Sequence, residues 1–85
     1  GTSGFSQDGV FSSQNTIESQ LKREVTERAG RSVILADRTK FGRTASSGFA
    51  RIDDVDLVVT DVRAGELPAL DALDVEVLYA GVTDA

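Results

Sequence analysis

Two short apolar runs decide the fold of this chain: Ser32-Val33-Ile34-Leu35-Ala36-Asp37 and Leu57-Val58-Val59-Thr60-Asp61. Each run is rich in β-branched residues and is halted by an aspartate. Runs of this length and composition are typical of strands that are buried on both faces of a parallel sheet. The sequence therefore predicts two buried strands joined by a crossover.

A helix is predicted before the first run, from about Thr16 to Ala29. Asn15 and Glu18 have the spacing of a capping box, in which each side chain satisfies an amide at the start of a helix. Apolar residues then recur every four positions, as on one helix face, at Ile17, Leu21, Val25 and Ala29. Gly30 suits the C-terminal cap, because glycine adopts the left-handed conformation at low cost.

Three further segments complete the pattern. Val75–Ala80 predicts a third strand, and residues 67–73 predict a short helix, since Pro68 suits a first helical turn. Residues 1–10 are rich in Gly, Ser and Asp and predict a loop. The polar stretch 38–56 is assigned no more than a helical turn that packs its apolar residues. Helix, strand, crossover, strand, helix, strand is the order of an α/β domain.

Composition excludes several classes of protein. The 85 residues suffice for one small domain or part of one. Lys and Arg number 9 against 14 Asp and Glu, and the resulting net charge of −5 repels DNA and anionic lipid. Cysteine and histidine are both absent, which removes the usual zinc ligands and the commonest general base, so we expect no metal and no cofactor. No apolar run approaches the roughly 20 residues of a membrane-spanning helix, so we expect a soluble, cytoplasmic protein.

Polar residues follow both predicted strands at the edge where open α/β sheets bind ligands. Asp37 and Asp61 end the two runs, and Asp37-Arg38-Thr39-Lys40-Phe41-Gly42 places a hydroxyl and a lysine just beyond the first. Such groups suit a phosphorylated small molecule. Alternatively, Asp37 caps a turn while Lys40 and Arg43 are solvated, because aspartates often form turns. The spacing leaves both interpretations open.

The opening segment Gly1-Thr2-Ser3-Gly4 offers a second place for an anion, since the amides of a glycine-rich loop can face a phosphate. It lacks a Walker lysine and a GxGxxG pattern, so a plain loop is an equal alternative. Glu18 is explained by helix capping and the helix dipole. The basic residues around Lys22 alternate with glutamates at ion-pair spacing, which predicts a solvated helix face.

Taken in this order, the motifs resemble the end of a DeoR-family transcriptional regulator. The most specific of them are the string from Asp37 to Gly42 after a strand and the valine-rich strand that ends in Thr60-Asp61. The resemblance implies a sensor domain similar to ribose-phosphate isomerases, glucosamine-phosphate deaminases and CoA-transferases. Its fold would be α/β, a partial Rossmann-like, mainly parallel sheet with flanking helices. Residues 1–85 would form one C-terminal fragment of that effector-binding domain, without the winged helix-turn-helix that binds DNA.

The same resemblance implies a function in bacterial gene regulation, with a sugar phosphate as the effector of a repressor of sugar-metabolism genes. The implied ligand-binding residues are Asp37, Thr39, Lys40, Gly1, Thr2, Ser3 and Gly4, and Asp61 joins them because it ends the second strand at the same edge. Ser3 stands where the isomerases have an aspartate, and Ser12-Ser13-Gln14 where they have a lysine-glycine pair. We therefore expect binding without turnover and no catalytic residues. An isomerase-like enzyme fragment and a module that only mediates association are the alternatives.

The expected partners are a sugar phosphate, DNA only through the absent N-terminal domain, and further copies of the chain. Self-association is expected because an isolated copy would leave sheet surface and one sheet edge uncovered. No membrane partner is expected.

Overall fold

A computed structural model describes residues 1–80 of the chain, except the side chains of residues 69 and 71. The strands are β1 (Gly4–Phe5), β2 (Val10–Ser13), β3 (Val33–Leu35), β4 (Ser47–Arg51), β5 (Leu57–Thr60) and β6 (Glu76–Tyr79). The helices are α1 (Thr16–Arg28) and α2 (Pro68–Asp71), with 3-10 turns at Arg38–Lys40 and Ile52–Asp54. The strands form two three-stranded sheets, in the orders β1-β2-β4 and β3-β5-β6. The α/β class is thereby confirmed.

The second sheet is parallel and contains the three predicted strands. Val33 pairs with Leu57, and Leu57 pairs with Glu76, so β5 lies between β3 and β6. One face of this sheet is buried, with Ile34 at 6% and Val58 at 0% exposure. Its other face is open, so the expectation that the strands are buried on both faces is corrected. The open face exists because no described helix packs on it; its large exposed side chains are Val33, Leu35 and Leu78.

The first sheet is antiparallel and was not predicted. Strand β2 pairs with β1 and with β4, and Gly9 closes the β1–β2 turn with a φ of 82°. The loop expected over residues 1–10 and the single turn expected over 38–56 are therefore corrected. The expectation of one mainly parallel sheet is also corrected, because three of the six described strands form a separate antiparallel sheet. These strands are short and contain Gly and Ser, so their composition does not identify them as strands. Only their hydrogen-bonded pairing with other segments of the chain does so.

Helix α1 begins at Thr16 as predicted, and one half of the capping box is present: the Asn15 side chain accepts a hydrogen bond from the Glu18 amide at 3.1 Å. It ends at Arg28, and the Ala29 amide donates to the Val25 carbonyl at 2.9 Å. Gly30 is not a left-handed cap, since its φ is not positive, and that expectation is corrected.

The apolar stripe of α1 faces away from the core. Ile17, Leu21 and Val25 are 78%, 64% and 58% exposed. The polar face packs inward instead: Ser19 Oγ donates to the Ser47 carbonyl at 3.1 Å, and Arg23 Nη2 to the Gly48 carbonyl at 2.7 Å. The physical reason is that β4 is an edge strand whose carbonyls need donors.

One apolar core joins the two sheets. Phe11 is fully buried, and its ring centroid lies 4.5 Å from that of Phe5 and 6.4 Å from that of Phe49. Ile34 and Val58 of the parallel sheet belong to the same cluster. Within residues 1–80, no helix is long and apolar enough to cross a bilayer.

Candidate functional site

The two aspartates that follow β3 and β5 hold the turn between them. The Asp61 carboxylate accepts a hydrogen bond from the Arg38 amide at 2.7 Å. Asp37 accepts from the Thr39 amide at 2.8 Å and from the Thr39 hydroxyl. Both side chains therefore fix the 3-10 turn Arg38–Lys40 at the carboxyl edge of the parallel sheet, which is the turn-forming role left open above.

Lys40 is placed by this turn against a cavity of about 430 Å³. The cavity is lined by Gly1, Thr2, Leu35, Ala36, Asp37, Lys40, Val59, Thr60, Asp61 and Ala80. The Lys40 ammonium lies 3.8 Å from the Asp37 carboxylate, at the outer limit of an ion pair, and the side chain is 28% exposed. The cation is thus held loosely beside an opening that an anion of small size can enter.

Five of the eight expected site residues line this cavity: Gly1, Thr2, Asp37, Lys40 and Asp61. Thr39 does not line it but bonds to Asp37. Gly4 begins β1 of the antiparallel sheet, and the amide of Ser3 just before it donates to the Ser12 carbonyl of β2 at 2.9 Å. That amide is consequently not free for an anion, and the opening segment is not the continuous amide cradle that its composition suggested.

Gly4 allows the opening segment and the Lys40 turn to approach each other. A Cβ atom on Gly4 would lie 2.3 Å from the Arg43 carbonyl oxygen, far inside contact distance. The Gly42 amide donates to the Phe5 carbonyl at 2.8 Å, and Gly42 has a φ of 79°. Glycine at both positions therefore brings two distant segments together beside the cavity.

A second charged group touches the same segment. Lys22 Nζ donates to the Gly1 carbonyl at 2.7 Å and pairs with the Glu18 carboxylate at 2.8 Å. It also lies 5.2 Å from the centre of the Phe49 ring. Sequence reasoning missed this contact because the Glu18–Lys22 spacing is that of an ordinary helical ion pair, and nothing local in the sequence shows that Gly1 lies alongside.

Hydrogen bonds from Thr39 hold the pKa of Asp37 below its ordinary value of 3.8, the hydroxyl contributing most and the amide next. Because the folded-state pKa is lowered, the carboxylate stabilises the fold above pH 3.8 and loses this effect as the pH falls through the folded-state value. Acidification should therefore loosen the Lys40 turn.

We expect Thr39→Val to raise the pKa of Asp37 towards 3.8, because the substitution removes the hydroxyl donor and keeps the amide. The measurement is an NMR titration of the side-chain carboxyl carbon. Thr44→Val, which alters an exposed threonine outside the turn, is the control and should leave the titration unchanged. Equal Asp37 pKa values in wild type and Thr39→Val would contradict the assignment.

Comparison with known proteins agrees with the motifs. A family model described as the DeoR C terminal sensor domain matches residues 1–62. The chain is 32% identical, over 98% of its length, to the HTH-type transcriptional regulator GlpR of Haloferax volcanii, of which it covers 31%. It is 34% identical, over 72% of its length, to the uncharacterized HTH-type transcriptional regulator FruR of Bacillus subtilis, of which it covers 24%. It is also 28% identical, over 71% of its length, to the L-fucose operon activator of Escherichia coli, of which it covers 25%.

The chain thus spans a third or less of the length of these relatives. No solved structure matches it significantly.

Proposed function

The chain belongs to the DeoR C terminal sensor domain family, and from this premise we propose that it senses a sugar phosphate for a transcriptional regulator. The observation that carries the proposal is the Lys40 ammonium at the cavity beside the parallel sheet, loosely paired with Asp37 at 3.8 Å. A phosphate offers this cation a stronger partner than a single distant carboxylate oxygen. The carboxyl edge of a parallel sheet is also where ligands of α/β proteins bind.

Binding at Lys40 is coupled to the turn that carries it. In the proposed complex the phosphate lies against Lys40, while carboxylate oxygens of Asp37 and Asp61 accept hydrogen bonds from sugar hydroxyls. Asp61 also holds the Arg38 amide, so a ligand that engages Asp61 acts directly on the position of the turn. A ligand with different affinities for two arrangements of the turn shifts the balance between them, and with it the regulator's affinity for DNA.

The proposal is for binding rather than catalysis. Two of the relatives are named as transcriptional regulators and the third as an operon activator, which supports a sensor in preference to an isomerase-like enzyme. DNA would be contacted through another domain, in the cytoplasm. We also propose that the parallel sheet is part of a Rossmann-like fold similar to that of the isomerases.

Self-association is a second proposed property, favoured by a specific observation. The α1 stripe leaves three large apolar side chains mostly exposed. Contiguous exposed apolar surface of this kind marks interaction sites. We propose that a second copy of the chain covers the stripe.

The proposal is tested by thermal melting of the chain with ribose 5-phosphate, fructose 6-phosphate, glucosamine 6-phosphate and their unphosphorylated sugars. A ligand present at a hundredfold excess over its Kd should raise the Tm by about 10–20 °C in a domain of this size. Lys40→Ala should abolish that shift, because it removes the cation that opposes the phosphate.

Arg43→Ala is the matched control, since it removes a nearby exposed cation that does not line the cavity. The ligand should raise the Tm of Arg43→Ala by as much as it raises the Tm of wild type. If no phosphorylated sugar shifts the melt, or if the shift persists in Lys40→Ala, the proposed function is wrong.

A further inference from the structure

A second cavity lies between α1 and the edge strand β4. Its volume is about 520 Å³, larger than that of the Lys40 cavity and within the range of small-molecule sites. The space is left open because β4 presents Gly48 and Ala50 to it, and neither has a side chain large enough to fill it. No residue lines both this cavity and the Lys40 cavity, so the two are separate.

Four charged side chains line this second cavity. Two of them are the guanidinium groups of Arg23 and Arg51, and the other two are the carboxylates of Glu27 and Asp54. None of the four forms an ion pair with another residue in the described part of the chain. The cavity therefore holds two positive and two negative groups without counter-ions.

Arg23 is directed towards β4 rather than towards Glu27. The two residues are four positions apart on α1, and Glu24 and Arg28, at the same spacing, form an ion pair at 2.9 Å. Arg23 Nη2 instead donates to the Gly48 carbonyl at 2.7 Å. Glu27 is consequently left without the partner that its spacing in the helix offers.

Arg51 and Asp54 are arranged in a similar way. The Asp54 carboxylate accepts a hydrogen bond from the Arg51 backbone amide at 2.8 Å, while Arg51 Nη2 donates to the Asp8 carbonyl at 3.2 Å. Each guanidinium of the cavity is thus anchored by one backbone carbonyl and keeps further N–H donors for a ligand. Arginine groups held in this way bind a carboxylate with good geometry.

The balance of charge decides which ligands suit the cavity. An anion alone would be repelled by Glu27 and Asp54, and a cation alone by Arg23 and Arg51. A small zwitterion meets both pairs favourably, since its carboxylate accepts from the guanidiniums and its ammonium donates to the carboxylates. The remaining wall includes Val10 and Ala50, which favour an aliphatic group.

We propose that this cavity binds a zwitterionic amino acid with an aliphatic side chain. Arg23 and Arg51 bind its carboxylate, and Glu27 and Asp54 bind its ammonium group. The inference goes beyond sugar-phosphate sensing and does not depend on the Lys40 site. Because the ligand bridges α1 and β4, the chain would respond to a second effector through the position of its long helix.

The test is a calorimetric titration of the chain with L-valine and with two compounds that each lack one of its charges. Isovalerate lacks the ammonium group, and isobutylamine lacks the carboxylate. L-valine should bind about tenfold or more tightly than either, because each loses a charged hydrogen-bond partner. No binding of L-valine, or an equal affinity for isovalerate, would overturn the inference.

Two variants assign the charges to their partners. Glu27→Gln removes the negative charge and keeps the size of the side chain, so it should weaken L-valine binding about tenfold and leave isovalerate binding unchanged. Arg51→Gln should weaken the binding of both compounds. Glu24→Gln removes the same charge from α1 outside the cavity and is the control for Glu27→Gln. Wild-type affinity of Glu27→Gln for L-valine would contradict the assignment.

Melts without ligand separate binding from folding. Glu27→Gln should melt at the wild-type Tm, because the described residues give its side chain no ion pair to lose. A lower Tm would show a structural role for Glu27 and overturn its assignment. Lys40→Ala should bind L-valine as wild type does, and a loss there would place L-valine in the Lys40 cavity instead. If L-valine binds and no sugar phosphate does, the proposed function fails and this site stands.

Discussion

Replacing Gly4 by alanine should lower the free energy of unfolding by about 2–3 kcal/mol, and Gly4→Val by more, since overpacked sites cost this much when neighbours must move. The new Cβ would lie 2.3 Å from the Arg43 carbonyl oxygen and 2.9 Å from its carbon. Both atoms belong to the backbone, so no flexible side chain can swing aside. In a domain of this size the loss corresponds to a fall in Tm of about 10 °C or more.

The same substitution should impair the site, because Gly4 sets the distance between the opening segment and the turn that carries Lys40. Circular-dichroism melts give the stability, and the ligand-induced shift gives the state of the cavity. We expect the ligand to raise the Tm of Gly4→Ala by less than it raises the Tm of wild type, although Gly4→Ala is folded before the melt begins.

Gly30→Ala is the matched control for this prediction. A Cβ on Gly30 would meet nothing within 4 Å, and its φ is not in the left-handed region. The substitution should be neutral or stabilising by about 0.4–1 kcal/mol, because alanine restricts the unfolded chain. If Gly30→Ala is less stable than wild type, Gly30 does cap the helix. If Gly4→Ala is as stable as wild type, the close approach of Gly4 to Arg43 is refuted.

Replacing Leu21 by glutamate should convert an associated chain into a monomer. Leu21 lies at the centre of the α1 stripe and is 64% exposed. Removing an apolar side chain of this size from an interface costs about 1.5–3 kcal/mol, which weakens association about tenfold to a hundredfold. Introducing a charge at that interface adds to the loss. Sedimentation velocity over a concentration series measures the effect.

The fold of Leu21→Glu should be intact, because the side chain is not among the buried core residues. Gln20→Glu is the control, since it adds the same charge at the neighbouring exposed position, off the stripe, and should leave association unchanged. If the wild-type chain is a monomer at every concentration, a second copy does not cover the stripe and the proposed self-association is wrong.

The candidate site was predictable in part, for a local reason. Asp37, Lys40 and Asp61 follow strands that periodicity and composition identify, and parallel strands bring their carboxyl ends to one edge. Their grouping in one cavity follows from the pairing of β3 with β5 and from the turn that Asp37 and Asp61 hold. The contact of Lys22 with Gly1 was not predictable, because it depends on where Gly1 lies in space.

Helix α1 shows most directly which features a sequence pattern predicts and which it does not. Its start at Asn15 is a local hydrogen bond between residues three apart, so the sequence predicts it correctly. An apolar stripe ordinarily marks the buried face of a helix, but here the polar face is buried: Ser19 is 2% exposed, and Ile17 is 78% exposed. The edge carbonyls of β4 require donors from α1, and this requirement arises only once β4 has formed beside it.

The sequence by itself determined the α/β class, the three parallel strands, the start of α1 and the aspartate, lysine and glycine motif of the Lys40 turn. Each depends on contacts between near neighbours in the chain or on strand composition. Tertiary structure alone decided the antiparallel sheet, the orientation of α1, the approach of Gly4 to Arg43 and the meeting of Lys22 with Gly1. Apart from the pairing of β1 with β2, these features join residues between 21 and 41 positions apart in the chain. Their stability comes from pairing that local propensity does not encode.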